Sequence, residues 1–334
     1  MKVLVFTNMY PYADLPFYGS FVRDEVGALR SAGADVDVYF VNGRANKLHY
    51  FASPFGFARR LRSRAYDIVH VHHSFCAFVA TMQRSTPVVW TFHEGEITST
   101  DDIIRADRPI KRLVYSKRFK RAMARRVDVV IVVSEHLKGP LRRPDALVIP
   151  AGVDTASFRP MDKTEAKNRL GLEAARRYVL FPSERGRVEK RYDLALAGVE
   201  RYRALGGDVE LLRLENVPHE QVPLYMNASE AMLMTSAFEA SPVTVREALS
   251  CNVPVLSTDV GDVRSVIGDL DGCFLVEDDP EDIAQKLRTA LDRRSPFAGR
   301  EKMMVYSLDR TAKQLIALYE ELARTRAKAK EKKT

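Results

Sequence analysis

The chain has 334 residues, of which 46% are hydrophobic and 29% charged, and a formal net charge of +8. That length accommodates two domains with full cores, and without an apolar run of about 18 residues no segment reads as a membrane span. The cysteines Cys76, Cys251 and Cys273 are few and widely spaced, which fits a reducing cytosol and offers no zinc pattern.

The opening Met-Lys-Val-Leu-Val-Phe-Thr-Asn is too short and too soon polar for a secretory signal, so it reads as a buried strand in a cytoplasmic protein. Short apolar runs then recur at Lys2–Phe6, Val36–Val41, Asp67–Val71, Pro87–Phe92, Asp128–Val133 and Ala146–Ile149, with helical patterns such as Phe21–Ala32 and Ser74–Gln83 between them. Near-continuous apolar strands imply burial on both faces, hence a parallel sheet. The segment Pro150–Pro160, with two prolines and Gly152, reads as a linker. Beyond it the scheme repeats at Tyr178–Phe181, Val209–Leu214, Ala231–Thr235, Pro254–Ser257 and Cys273–Val276. The expected architecture is α/β, with two doubly wound, Rossmann-like domains facing a cleft. They cover residues 1–153 and 154–323, and a basic tail of frayed helix or disorder covers 324–334.

The most informative stretch is 234–261. Glu239 lies in the loop after a strand, and a helix starting near Pro242 places Glu247 about a turn inside. Such loop ends are where open α/β sheets bind ligands, and the first helical turn offers free N–H groups to phosphate. Arg185 and Lys190 follow the first strand of the second half; as a fork and a point charge they suit a diphosphate, although a solvated basic loop fits the spacing equally. Gly19 follows the first strand, where a glycine admits close backbone approach or simply makes a turn. No Gly-x-Gly-x-x-Gly follows that strand, which argues against a dinucleotide cofactor. His93 and Glu94 end the strand Val88–Phe92, while His70, His72 and His73 end its neighbour. Alternation sends His70 and His72 to one face, so zinc has to be weighed. No spaced cysteine or further histidine accompanies them, and polar crevice histidines without metal are the expectation.

Charge is unevenly spread: residues 1–150 hold 23 Lys and Arg against 14 Asp and Glu, and residues 151–334 hold 29 against 30. The segment Ile110–Arg126 has eight cations, no acid and an apolar side at helical spacing, and Arg59, Arg60, Arg62 and Arg64 add a second cluster. Basic amphipathic helices lie on anionic membrane surfaces. An ordinary outer helix explains the same pattern.

Together these residues resemble the retaining glycosyltransferases of family 4, which have the GT-B fold. The match runs over nearly the whole chain and is strongest from Val148 to Gly261. The resemblance implies that Glu239 and Glu247 are the family's glutamate pair, on donor sugar and ribose respectively. It implies that Arg185 and Lys190 hold the donor diphosphate, that His93 is the histidine of its Thr-x-His-Gly element and that Gly19 is its first glycine loop. His93, Glu239, Arg185 and Lys190 are then the catalytic set, and Gly19, Ala240, Ser241, Val243, Thr244 and Glu247 complete the donor site. No metal or other cofactor is implied, the donor being a UDP- or GDP-sugar. The sequence departs from the family at Glu184, Arg191 and Glu94, each in place of glycine, and at Ala240-Ser241-Pro242, where Pro242 removes a backbone donor. The branch with Glu-x-Ser-Pro and Val-Gly-Asp-Val elements, here Val260–Val263, includes bacterial surface-polysaccharide enzymes. The expected acceptor is accordingly a saccharide or lipid-linked saccharide, with peripheral attachment to the inner face of the membrane. A sugar-nucleotide 2-epimerase of the same fold is the alternative. Nucleic acid is excluded as a partner, because no stacking-aromatic or recognition-helix pattern accompanies the basic charge.

Overall fold

In this computed structural model, residues 1–93, 116–293 and 295–331 are described, with side chains to 328. The chain separates into two compact units, Met1–Gly152 together with Leu308–Thr334, and Val153–Ser307.

The first unit runs β1 (Lys2–Thr7), α1 (Ser20–Ser31), β2 (Asp35–Phe40), α2 (Leu48–Ser63), β3 (Ile68–Val71), α3 (Ser74–Ala80), β4 (Val88–Phe92), α4 (Lys117–Ala124), β5 (Val129–Val132) and β6 (Leu147–Val148). The strands form one sheet in the order β2-β1-β3-β4-β5-β6, parallel throughout. The inner strands β3 and β4 are buried along their whole length, whereas the edge residues Leu147 and Val148 are exposed. Helices cover the faces of a parallel sheet but not its rim, so the near-continuous apolar runs mark its middle. The strand order reverses between β1 and β3, the topological switch point of a doubly wound sheet.

The C-terminal helix Leu308–Glu331 belongs to this unit. Ala312, Leu315 and Tyr319, at helical spacing, enter one core cluster with Val3 and Val5 of β1 and Val22, Val26 and Leu29 of α1. This corrects the expected domain boundary and, for the basic tail, favours helix over disorder. The second unit ends at Ser307 and not at residue 323. The basic tail continues the same helix through Glu331; a turn already packed on the core extends without paying again for nucleation.

The second unit holds β7 (Tyr178–Phe181), α5 (Tyr192–Ala204), β8 (Glu210–Arg213), β9 (Ala231–Met234), α6 (Val243–Ser250), β10 (Val255–Thr258), β11 (Phe274–Val276) and α7 (Pro280–Leu291). Its parallel sheet has the order β11-β10-β9-β7-β8. Two clusters fill its faces: Val245, Ala248 and Leu249 of α6 join one, and Val199 of α5 with Ile283 and Leu287 of α7 join the other. The switch point lies between β7 and β9.

Among the described residues, no helix is long and apolar enough to cross a membrane. Of the basic helix expected over Ile110–Arg126, residues 110–115 lie outside the described part, as does Glu94. The rest begins at Lys117, where the Ser116 hydroxyl caps it by accepting from the Phe119 N–H at 3.1 Å. Its apolar side faces inward, with Met123 buried and Phe119 against Phe78. Lys120 is also buried, above the Phe92 ring, so it is not among the cations that a membrane surface could meet.

Candidate functional site

The loops leaving β7 and β9 diverge from the switch point of the second unit, which opens a crevice between them. Lys190 comes from the first loop and Glu239 from the second, and they are paired: the Lys190 ammonium donates to Glu239 Oε1, which also accepts from the Ser236 hydroxyl at 2.8 Å. The loops are tied together beneath this pair. The Thr235 hydroxyl lies 3.0 Å from the Lys190 carbonyl and 2.9 Å from that of Arg191, and the Ala237 N–H donates to the Glu189 carbonyl at 2.8 Å.

Arg191 stands where the family has glycine, and its backbone shows why: φ is 53°, in the left-handed region. A side chain there costs about 1–2 kcal/mol. The Arg191 guanidinium donates to the Thr235 carbonyl at 2.6 Å and the Ser236 carbonyl at 3.3 Å, and pairs with Asp278. These contacts offset the strain and bind the two loops further.

The loop after Glu239 enters α6 through Ala240-Ser241-Pro242. Among the described residues, no acceptor meets the backbone N–H of Val243 or Thr244, as the first turn of a helix requires. Two free donors at a positive dipole end remain for an anion although Pro242 supplies none. The Ser241 hydroxyl is 2.9 Å from both Asp262 Oδ2 and Arg246, which itself pairs with Asp262 while buried. Ser241 therefore shapes the loop as well as bordering it. Gly261, at φ +61°, brings its Cα so near this loop that a Cβ would sit 2.8 Å from the Ala240 carbonyl oxygen. The Val260–Val263 element thus braces the Glu239 loop from the β10 side.

Glu247 is 5% exposed, within the buried stretch of α6, and its Oε1 lies 3.1 Å from His219 Nε2. The His219 ring packs on Phe158 at 5.5 Å. Glu239 and Glu247 thus hold different partners. Sequence reasoning missed His219, Arg246 and Asp262, because each meets its partner across 16 to 28 residues of chain. Arg185 is exposed and stacks on Tyr192 at 5.6 Å, with Arg213 on the same ring at 5.4 Å. The structure brings Lys190 and Glu239 together but records no contact of Arg185 with either.

In the first unit, Gly19 caps α1 at φ 70°, and a Cβ would meet the Met9 carbonyl carbon at 2.4 Å. Glycine is required there by the chain's own backbone, whatever it offers a ligand. His93 leaves the carboxyl end of β4. Its Nε2 is 3.1 Å from His72 Nδ1, and its ring lies against His72 at 5.4 Å and Phe21 at 4.8 Å. Burial, followed by the charge that neighbouring His72 can carry, pushes the His93 imidazole down to about 3, so it is neutral at physiological pH. Behind it, Glu25 Oε1 lies 3.3 Å from His72 Nε2 and 3.6 Å from His70 Nδ1. Both ring nitrogens of His70 are engaged at 2.7 Å, by Thr91 and Tyr319. Glu25, His70 and His72 have ligand atoms within 4.8 Å of one another and form a group able to hold a metal among the described residues. The bonds to Thr91 and Tyr319 already occupy His70, which makes the cluster a hydrogen-bonded support behind His93.

Comparisons with known proteins bear on the family and the fold. Residues 3–157 match the family model Glycosyltransferase Family 4, and residues 200–307 match Glycosyl transferases group 1. With its two parallel, doubly wound sheets, the chain belongs to the family 4 glycosyltransferases of the GT-B fold, and it is an enzyme of that class. It is 28% identical over 312 residues to a D-inositol 3-phosphate glycosyltransferase of Geodermatophilus obscurus, covering 80% of this chain and 69% of that one. It is 25% identical over 244 residues to the lipopolysaccharide core biosynthesis mannosyltransferase LpsB of Rhizobium meliloti, covering 62% and 69%. Sucrose-phosphate synthase of Thermosynechococcus elongatus has a similar fold, with a TM-score of 0.79 at 19% identity over 97% of this chain and 100% of that one.

Proposed function

We propose that the protein transfers a sugar, with retention of anomeric configuration, from a UDP- or GDP-sugar to a hydroxyl of a saccharide acceptor linked to a membrane lipid. The observation that carries this reading is the Lys190–Glu239 pair at the crevice of the second unit, beside the free N–H groups of α6. An ammonium and a helix end can meet the leaving diphosphate as its charge grows, and a carboxylate can accept from sugar hydroxyls. Glu247, held against His219, is the candidate for the nucleotide's ribose. Arg185, exposed at the loop tip, is able to swing onto the diphosphate. Neutral His93 is assigned a hydrogen bond to a sugar hydroxyl. With protein cations neutralising the leaving group, the reaction needs no metal. The relative named for lipopolysaccharide core synthesis supports a lipid-linked acceptor, and so does the basic first half of the chain.

A thermal-shift screen with UDP, GDP and ADP tests the donor, because a bound nucleotide raises the melting temperature by mass action. Transfer from the matching sugar nucleotide in EDTA, with the product anomer read by NMR, tests the rest. An inverted product, strict dependence on added Mg²⁺ or Mn²⁺, or conversion of the donor without any acceptor would overturn the corresponding part of the reading. Efficient transfer to a small soluble acceptor would refute the lipid linkage alone.

A further inference from the structure

Helix α2 is built on two apolar stripes. Pro54 lies within it, lacks the N–H that would bond the Tyr50 carbonyl, and leaves that carbonyl to the Ser53 hydroxyl at 2.8 Å. The inner stripe carries buried Ser53 and Phe57, whose ring stacks on Phe6 of β1 at 5.0 Å. The outer stripe carries Leu48, Phe51 and Phe55, which are 67%, 66% and 79% exposed. At about 100° per residue, Arg59 and Arg62 continue that outer stripe by one and two turns. Both are exposed, and among the described residues neither has a partner. The remaining nearby cations are already engaged: Arg64 pairs with Asp35 and Asp37, Arg60 covers Tyr39 and Arg44 covers Tyr18. No acid occurs anywhere from residue 38 to residue 66.

We infer that this outer face of α2 docks on an anionic phospholipid bilayer, with Phe51 and Phe55 entering the acyl boundary and Arg59 and Arg62 on the headgroups. Large exposed aromatics on one face mark an interaction surface, and unpaired cations beside them, on a helix that carries no acid of its own, select an anionic partner. A helix lying in the interface uses this combination. The basic helix α4 lacks the apolar half, because its apolar side is spent on the core. The inference deepens the lipid-linked acceptor reading, since it names the surface that would bring the enzyme to that acceptor.

The test uses the full chain and acceptor-free vesicles, either phosphatidylglycerol mixed with phosphatidylcholine or phosphatidylcholine alone. The natural tryptophan, Trp90, is fully buried, so a Phe55→Trp variant reports on α2. Its emission should shift to the blue and be quenched by brominated acyl chains on anionic vesicles at low salt only. In flotation, Arg59→Gln with Arg62→Gln should weaken partitioning about thirtyfold, from about 1 kcal/mol per cation near the surface. Phe51→Ser with Phe55→Ser should weaken it at least tenfold, and all variants should keep the wild-type thermal shift with nucleotide. Three results would overturn the inference: no binding of the wild type to anionic vesicles, wild-type binding by both α2 double variants while Lys117→Gln with Arg118→Gln loses it, or a concentration-dependent dimer that the α2 variants dissolve. None of these bears on nucleotide binding or turnover, so failure here is distinct from failure of the glycosyltransferase reading.

Discussion

Lys190 and Glu239 neutralise each other in the free protein, and the donor has to share that ammonium. The partners are 18% and 17% exposed, so the pair is partly screened and contributes on the order of 1 kcal/mol. Glu239→Gln keeps an oxygen for the Ser236 hydroxyl but removes the charge that holds Lys190. Binding of the bare nucleoside diphosphate should therefore tighten by up to about fivefold, which corresponds to about 1 kcal/mol, while turnover of the sugar nucleotide falls because the sugar loses its carboxylate. Lys190→Met should act the other way on the ground state, weakening the diphosphate. It should also slow transfer by a factor of about 30 to 1,000, or roughly 2–4 kcal/mol of lost transition-state stabilisation. Isothermal titration with the nucleotide and a coupled assay for released diphosphate read the two effects separately, and circular dichroism checks the fold. If Glu239→Gln weakens the bare diphosphate as much as Lys190→Met does, or if Lys190→Met turns over like the wild type, the pair is not the diphosphate switch proposed.

Glu247→Ala should weaken nucleoside diphosphate binding about tenfold and change kcat less, because it strips a buried acceptor from His219 and from the ribose; an unchanged Kd would remove Glu247 from the donor site. Gly19→Ala should destabilise the first unit by about 1–3 kcal/mol, since the new Cβ meets backbone at a left-handed φ, and urea unfolding at the wild-type midpoint would contradict that. Stability should also fall on acidification. The unfolded chain protonates its histidines near pH 6.5 whereas folded His93 stays neutral to about 3, so across that window the unfolded state holds more protons. The loss is up to about 1.4 kcal/mol per pH unit. A flat unfolding free energy between about pH 6.5 and 4.5 would show that His93 accepts a proton while folded.

What the sequence determined by itself was everything that repeats locally. The eleven strands among the described residues were legible, with ends shifted by a residue or two: the inner ones are unbroken apolar runs because both their faces are buried, and the edge ones are short, mostly apolar runs between turn signals. Glu239, Glu247, Lys190 and His93 were legible as strand-end or helix-entry residues, since an open α/β sheet delivers such positions to its crevice edge. Only the tertiary structure decided which groups meet. That Lys190 grips Glu239 across 49 residues follows from strand order, and nothing in either local segment encodes that order. The same holds for Glu247 with His219, and for His70 with Tyr319 across 249 residues. The return of the C-terminal helix to the first sheet was invisible for a related reason: an amphipathic pattern states that a helix has an apolar face, not which core receives it. Helix α2 shows the limit most plainly. Its phenylalanines at positions 51, 55 and 57 are chemically alike in the sequence, and only the packing of Phe57 against Phe6 turns the other two toward solvent.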